Sequence, residues 1–372
     1  MNLEEIKVEN GTLNDNVKEG KNIIYGVGTI GIVLSKILRA ANVEVSCFVI
    51  SDGYAKKNQS NFNGIPIYEI SKNPFDESEC NIFVTTQASL EIIDKNLREK
   101  KYKNIVNVNS TKITLELYKV FYKEYFKEKN IEIDRDVIDI NGCRMVNPFK
   151  QDEDFQIAFF YEANDLILPE LMKDISDVNE GPYENEEVIL EKDDVVFDCG
   201  ANIGLFSTIA AWKGCITYAF EPIYENQLHL EKSKNLYQNL IKICPFALGE
   251  KVGIAKFYMC DKNISHTMIK NQADHLENCI DVEITTIDQF VKDNKIEKLD
   301  FIKADIEGAE RYMLMGAKES IAKFSPKISI CTYHLEDDPQ VLERIIKEAN
   351  PNYIIKHRWK KIYAYVPKDK RI

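Results

Sequence analysis

One stretch constrains this chain more than any other: Val195 to Gly204, VVFDCGANIG, followed closely by Ala219-Phe220-Glu221-Pro222. An apolar run that ends on an acid, a glycine-rich turn and an amphipathic segment read as a strand, a turn and a helix. Asp198 then falls at the carboxyl end of the strand, where open α/β sheets bind their ligands. Gly200 and Gly204 allow the backbone to turn sharply and approach a ligand, with Asn202 between them. Leu205, Ile209 and Trp212 recur at helical spacing, so the helix amino terminus faces the same crevice. A second strand, Ile216 to Phe220, delivers Glu221 to the neighbouring edge. Acids at the ends of two adjacent strands suit a ligand with an amino group and a ribose diol, and S-adenosylmethionine carries both.

The chain has 372 residues, enough for two domains, and its 44% apolar and 29% charged residues exclude a wholly disordered protein. A formal net charge of -12 argues against a nucleic-acid partner, because phosphate affinity comes from clustered Lys and Arg. The one basic cluster, Lys356 to Lys361 with Lys368, Lys370 and Arg371, reads mainly as a solvated edge. Nine cysteines lie scattered without a CxxC pair and without metal-like spacing to the five histidines. Reduced thiols in the cytoplasm are therefore expected, no metal site is evident although Asp305 and Glu307 leave a divalent ion conceivable, and Cys199 reads as a small packing residue. The sequence contains no run of some twenty apolar residues, so no membrane span is expected. Nothing in it defines an oligomeric state.

The amino-terminal half repeats the strand, turn and helix pattern in NIIYGVGTIG, with Gly26, Gly28 and Gly31 in a GxGxxG arrangement. Ile30, Val33, Leu34, Ile37 and Leu38 form the following helical stripe. A strand from Val43 to Ile50 leads to Asp52, the place where a dinucleotide fold sets an acid on a ribose. Strands at Asn81 to Thr85 and Ile105 to Val108, with a helix through Leu90 to Leu97 between them, imply a parallel sheet. The Asn63-Gly64-Ile65-Pro66-Ile67-Tyr68 turn resembles the amino-terminal domain of bacterial sugar acyltransferases, which binds nucleotide sugars. Residues 1–112 are thus expected to form a Rossmann-like domain with a possible nucleotide or nucleotide-sugar site at Gly26, Gly28, Gly31 and Asp52; a domain that keeps the fold and binds nothing remains the alternative.

Residues 113–180 read as a helical connector. A helix from Thr114 to Lys129 carries Tyr118, Phe121, Tyr122, Tyr125 and Phe126 as a packing stripe. Glu180-Gly181-Pro182-Tyr183-Glu184 is a turn that can hold Tyr183 near the crevice, as a turn residue or a lid, and Glu187 to Leu190 has the pattern of a strand.

Beyond Glu221 the alternation resumes with a helix over Glu225 to Tyr237 and a strand at Ile241 to Pro245. Further strand signals lie at Ile254 to Met259 and Val282 to Thr285. The dense motif Asp300 to Gly308, DFIKADIEG, places Phe301, Lys303 and Asp305 on one strand face. Asp305 reaches the crevice edge, and Lys303, one step deeper, needs a carboxylate partner. A strand from Lys327 to Tyr333 delivers His334 to its end. Tyr353 to His357 and Lys361 to Val366 close the chain as an antiparallel hairpin.

VVFDCGANIG, AFEP, FALGE, TTIDQF, DFIKADIEGAE and the strand ending Tyr333-His334, all in this order between Glu180 and Val366, resemble the FkbM family of S-adenosylmethionine-dependent O-methyltransferases. The resemblance implies that residues 181–372 form a class I methyltransferase sheet with a closing antiparallel hairpin. The fold class is then α/β with two Rossmann-like domains. It also implies that Asp198, Gly200, Asn202 and Gly204 hold the methionine end of the cofactor and that Glu221 holds the ribose hydroxyls. A base must stand near the methyl group; the candidates are His334 and Asp305, with Lys303 third, and Ser265 and His266 are candidates to line the acceptor pocket. The expected acceptor is a small molecule or glycan, with a sugar hydroxyl methylated in glycan or secondary-metabolite synthesis. The rival readings are a nicotinamide-dependent oxidoreductase using the amino-terminal domain, which lacks a Tyr-Lys or His-acid pairing there, and a non-enzymatic nucleotide-sensing protein.

Overall fold

A computed structural model of the chain describes residues 2–8, 11–54, 60–86, 90–166, 181–258 and 279–370. Two compact units meet between Ile131 and Glu132. The division differs from the expected boundaries at 112 and 180. The aromatic helix, Thr111–Glu128, belongs to the first unit, where Tyr118, Tyr122 and Phe126 are buried. No helix among the described residues is long and apolar enough to cross a membrane.

In the first unit Lys21–Tyr25 lies at the centre of a six-stranded sheet. Cys47–Ile50 and Ile65–Glu69 lie on one side of it, and Cys80–Val84 and Asn104–Asn107 on the other. These five strands are parallel, and only the edge strand Asn61–Phe62 pairs antiparallel. The strand expected from Val43 begins at Cys47, because the Val43 amide is spent closing the preceding helix on Leu38 O at 2.9 Å.

In the second unit we number the strands β1 (Val195–Cys199), β2 (Ile216–Phe220), β3 (Ile241–Cys244), β4 (Phe301–Ala304), β5 (Lys327–Cys331), β6 (Ile354–Arg358) and β7 (Lys361–Tyr365). Their order across the sheet is β3-β2-β1-β4-β5-β7-β6. Strands β1 to β5 run parallel, and β7 runs antiparallel to both β5 and β6. This is a mainly parallel sheet closed by an antiparallel hairpin, as the sequence led us to expect. The chain leaves β1 toward β2 and β3 and later returns on the other side through β4, so the strand order reverses at β1/β4, the place where open α/β sheets form their ligand crevice.

The helices used below are α1 (Glu153–Leu166), α2 (Leu205–Trp212), α3 (Tyr224–Leu236), α4 (Glu310–Met315) and α5 (Asp338–Ala349). The core is apolar on both sheet faces, as parallel strands require: Phe197, Phe220, Ile302, Met313, Ile328 and Ile345 are buried together. Phe220 and Phe290 pack edge to face, 4.8 Å between centroids.

The strand signals at Ile254 and Val282 belong to a separate three-stranded sheet of Ala247–Leu248, Gly253–Tyr258 and Cys279–Thr285. Residues 187–190 are not a strand. The Asn185 side chain accepts from the amides of Glu187 and Val188, at 2.9 and 2.7 Å, and holds the segment as a turn while Val188 and Leu190 are buried.

Candidate functional site

The crevice begins where β1 ends. Gly200 (φ 79°), Asn202 (φ 48°) and Gly204 (φ 87°) all lie in the left-handed region, and Gly204 caps α2. At Gly200 only glycine fits, since a Cβ there would stand 2.0 Å from the backbone oxygen of Asp305. The turn is thereby locked against the end of β4.

Asp198 is fully buried, and its carboxylate faces protein groups. Ser207 Oγ donates to Oδ2 at 2.6 Å, and Lys303 Nζ lies 3.0 Å from Oδ1. The sheet register makes this pair, placing Asp198 opposite Lys303 across β1 and β4. Lys303 thus has the carboxylate partner its burial demanded, and its ammonium also donates to Gly200 O at 2.7 Å. Glu221, at the end of β2, is 5% exposed and accepts from the Asn202 amide at 2.9 Å and from the Ile223 amide at 2.8 Å. A carboxylate oxygen has more than one acceptor site, so each retains capacity for a hydroxyl.

At the end of β4, Asp305 receives the Tyr183 hydroxyl on Oδ2 at 2.8 Å and the Tyr333 hydroxyl on Oδ1 at 3.3 Å. Tyr183 is buried, with Lys361 Nζ 4.2 Å and Lys303 Nζ 5.2 Å from its ring centroid. Its hydroxyl thereby helps to position Asp305. His334, just past β5, stands among three carboxylates. Its Nε2 is 3.5 Å from Asp305 Oδ1 and 3.4 Å from Glu307 Oε2, and its Nδ1 is 3.1 Å from Glu310 Oε1. Glu307 adopts φ 53°, an uncommon conformation for a residue with a side chain, at the tightest point of this turn.

The part of the chain that forms this site is similar to a known family. Residues 198–354 match the methyltransferase FkbM domain. The matched segment takes in the crevice and covers less than half of the chain. Among curated proteins, the hexuronic acid methyltransferase AglP of Haloferax volcanii is 24% identical over 162 residues, covering 43% of this chain and 64% of AglP. The AMB antimetabolite synthetase AmbE of Pseudomonas aeruginosa is 23% identical over 175 residues, covering 37% of this chain and 8% of AmbE. The chain thus spans less than two thirds of the length of either relative. Among solved structures, the methyltransferase FkbM of Methylobacillus flagellatus aligns over 94% of this chain and 90% of its own, at 18% identity and a TM-score of 0.42.

Electrostatics separate the candidate catalytic groups of this site. For His334, burial alone would lower the pKa, but Glu307, Glu310 and Asp305 outweigh it and push the imidazole up to about 11. Lys303 is likewise held as a cation: burial opposes its charge, and Asp198, Asp305 and Glu162 more than restore it. Neither group is poised to accept a proton near neutrality. Burial raises Asp305, but Lys303, His334 and Lys361 bring it below the ordinary carboxylate range. Glu307 moves the other way, raised chiefly by burial. Asp305, Glu310 and His334 bring donor atoms within 4.8 Å of one another, a spacing open to a divalent cation. Burial holds the Cys199 thiol well above its usual pKa, consistent with a packing role.

Two features of this site escaped sequence reasoning. Glu307 and Glu310 lie within and just after the DIEG motif, yet their convergence on His334 depends on how the turn and α4 pack. Glu162, on α1, arrives from outside the matched segment and accepts from Asn202 Nδ2 at 2.7 Å. Ser265, His266 and Glu180 lie outside the described residues.

In the first unit, Gly26, Gly28 and Gly31 do gather where the central strand meets its helix, Thr29–Ala40, with Gly28 at the N-cap. A Cβ on Gly31 would stand 2.2 Å from Gly26 O, so glycine permits this helix to pack on the turn. Asp52 is exposed, and its Oδ1 accepts from the Ser71 amide at 3.0 Å.

Proposed function

We propose that the second unit transfers a methyl group from S-adenosylmethionine to a hydroxyl of a sugar acceptor. The observation that carries this reading is the pairing, at the β1/β4 reversal, of the glycine-locked turn with the nearly buried Glu221 on the next strand. The left-handed turn from Gly200 to Gly204 runs beside Glu221, which already holds the Asn202 amide and has acceptor capacity for a ribose diol, so these residues fit the cofactor. Gly200, Asn202 and Gly204 would hold its methionine end, with Asp198 bracing the turn through Lys303, and Glu221 would hold its ribose. The bound cofactor supplies an electrophilic methyl group whose reactivity is its own. The sugar acceptor is supported by the likeness to AglP, a hexuronic acid methyltransferase.

The domain's own residues have to align the acceptor and take its proton. Alignment of reactants can remove roughly 7–11 kcal/mol of barrier. With Lys303 and His334 held as cations, proton acceptance falls to the Asp305–Glu307 carboxylate pair at the crevice mouth. Glu307 is the better tuned of the two, because its proton affinity is raised. Asp305, pinned by two tyrosine hydroxyls, fixes the geometry beside it. His334 keeps the two carboxylates close by supplying the positive charge between them.

Calorimetric titration of the full chain with S-adenosylmethionine, NAD(H) and nucleotide sugars tests the reading. Binding of S-adenosylmethionine is expected, and heat with NAD(H) alone would refute it. Glu307→Gln is expected to lower turnover about 10²–10⁴-fold with cofactor affinity intact; a loss below tenfold would remove Glu307 from the role. A nucleotide or nucleotide sugar at Gly26, Gly28 and Gly31 is a separate proposal, supported by the open Gly28 N-cap, and the nucleotide-sugar titration decides it.

A further inference from the structure

The FkbM match begins at Asp198, and α1 lies wholly before it. The apolar face of α1 nevertheless docks on the domain. Phe155, Phe159, Phe160 and Ala163 are buried, and Phe155 meets the His229 ring of α3 edge on at 5.2 Å. Phe155 and Phe159 also line one small cavity with Ile203, Leu205 and Ser233, residues of the glycine turn, α2 and α3. This packing fixes the polar residue that follows on the same face. Glu162 Oε1 accepts from Asn202 Nδ2 at 2.7 Å, while the backbone amide of Asn202 donates to Glu221. A single turn residue thus links the carboxylate placed for the ribose to a second carboxylate from outside the domain.

The second carboxylate has a task left open by the first strand. Asp198, the acid that the motif offers for an amino group, is fully buried and engaged by Lys303 and Ser207. The methionine end of the crevice therefore needs its counter-charge from elsewhere. We propose that Glu162 receives the α-ammonium group of the cofactor, so that α1 completes the methionine end of the site. The inference rests on the reading of the second unit as S-adenosylmethionine-dependent. The surroundings agree: burial pushes the Glu162 carboxyl up to about 8, with Lys303 and Asn202 opposing this and Asp198 and Asp305 adding to it. A carboxylate in that setting is one that a cationic ligand stabilises.

The test is calorimetry of the full chain and its Glu162→Gln and Glu162→Asp variants with three ligands. S-adenosylmethionine and S-adenosylhomocysteine both carry the ammonium group, and 5′-methylthioadenosine lacks it. Glu162→Gln keeps an acceptor for Asn202 and removes the charge. It is expected to weaken the first two ligands alike, by roughly ten- to a hundredfold, and to leave 5′-methylthioadenosine unchanged. Glu162→Asp, which keeps the charge, should fall between. Unchanged affinity for the first two ligands would overturn the assignment. An equal loss for all three would make Glu162 a support of the turn only, and a loss confined to S-adenosylmethionine would move the charge to the sulfonium; either outcome overturns the ammonium contact. Failure of the wild-type chain to bind S-adenosylmethionine would instead overturn the methyltransferase reading, and this inference with it.

Discussion

The charge state of His334 can be read from stability, independently of activity. Its side chain is 4% exposed and its folded pKa is pushed to about 11, against an ordinary value of 6.5. A group whose pKa is raised by folding contributes stability that is complete below pH 6.5 and is lost as pH rises toward 11. Between those values the folded chain holds a proton that the unfolded chain has released. Each pH unit there removes about 1.4 kcal/mol, so the step from pH 7 to pH 9 removes about 3 kcal/mol from this one group. His334→Gln has no such proton. At pH 7 it should be less stable by about 3–5 kcal/mol, because three carboxylates lose their cation. By pH 9 most of that difference should have closed, and titrations common to both proteins cancel in the comparison. Urea unfolding at pH 7, 8 and 9, followed by tryptophan fluorescence, makes the measurement. Both tryptophans of the chain, Trp212 and Trp359, lie in the second unit, so the signal reports the unit that matters. A gap between wild type and variant that stays constant from pH 7 to pH 9 would mean a neutral imidazole, and would return His334 to candidacy as the base.

Glu221→Gln should weaken S-adenosylmethionine binding by about 1.5–3 kcal/mol in calorimetry, the scale for hydrogen bonds to a charged group; unchanged affinity would refute the ribose contact. Gly200→Ala places a Cβ 2.0 Å from Asp305 O at φ 79°, so urea unfolding should show a loss of at least about 1–3 kcal/mol, and wild-type stability would show that the β1 and β4 ends are not locked together. Lys303→Met leaves Asp198 buried without its cation and should cost about 3–5 kcal/mol; a neutral effect would mean that the pair contributes no net stability.

The parts of this protein that were legible in its sequence are those whose signal is local. The β1 turn announces itself by an apolar run, an acid and two glycines. The closing hairpin announces itself by two strand patterns around a tight turn. The positions of Asp305 and His334 at strand ends follow from the same periodicity. Their chemistry does not, because it depends on which strands become neighbours. The order β3-β2-β1-β4-β5-β7-β6 sets Asp198 opposite Lys303 and neutralises an acid that, alone in its motif, looked free for a ligand. It also brings the end of β5 beside the turn after β4, where Glu307 and Glu310 stand against the two ring nitrogens of His334. Glu162 lies one step further from sequence reasoning. Nothing in α1 marks that residue, and only the docking of Phe155 and Phe159 on the turn and α2 aims it at Asn202. A motif can therefore locate a crevice, but the balance of charge inside it is a property of the assembled sheet and of the helix that packs onto it.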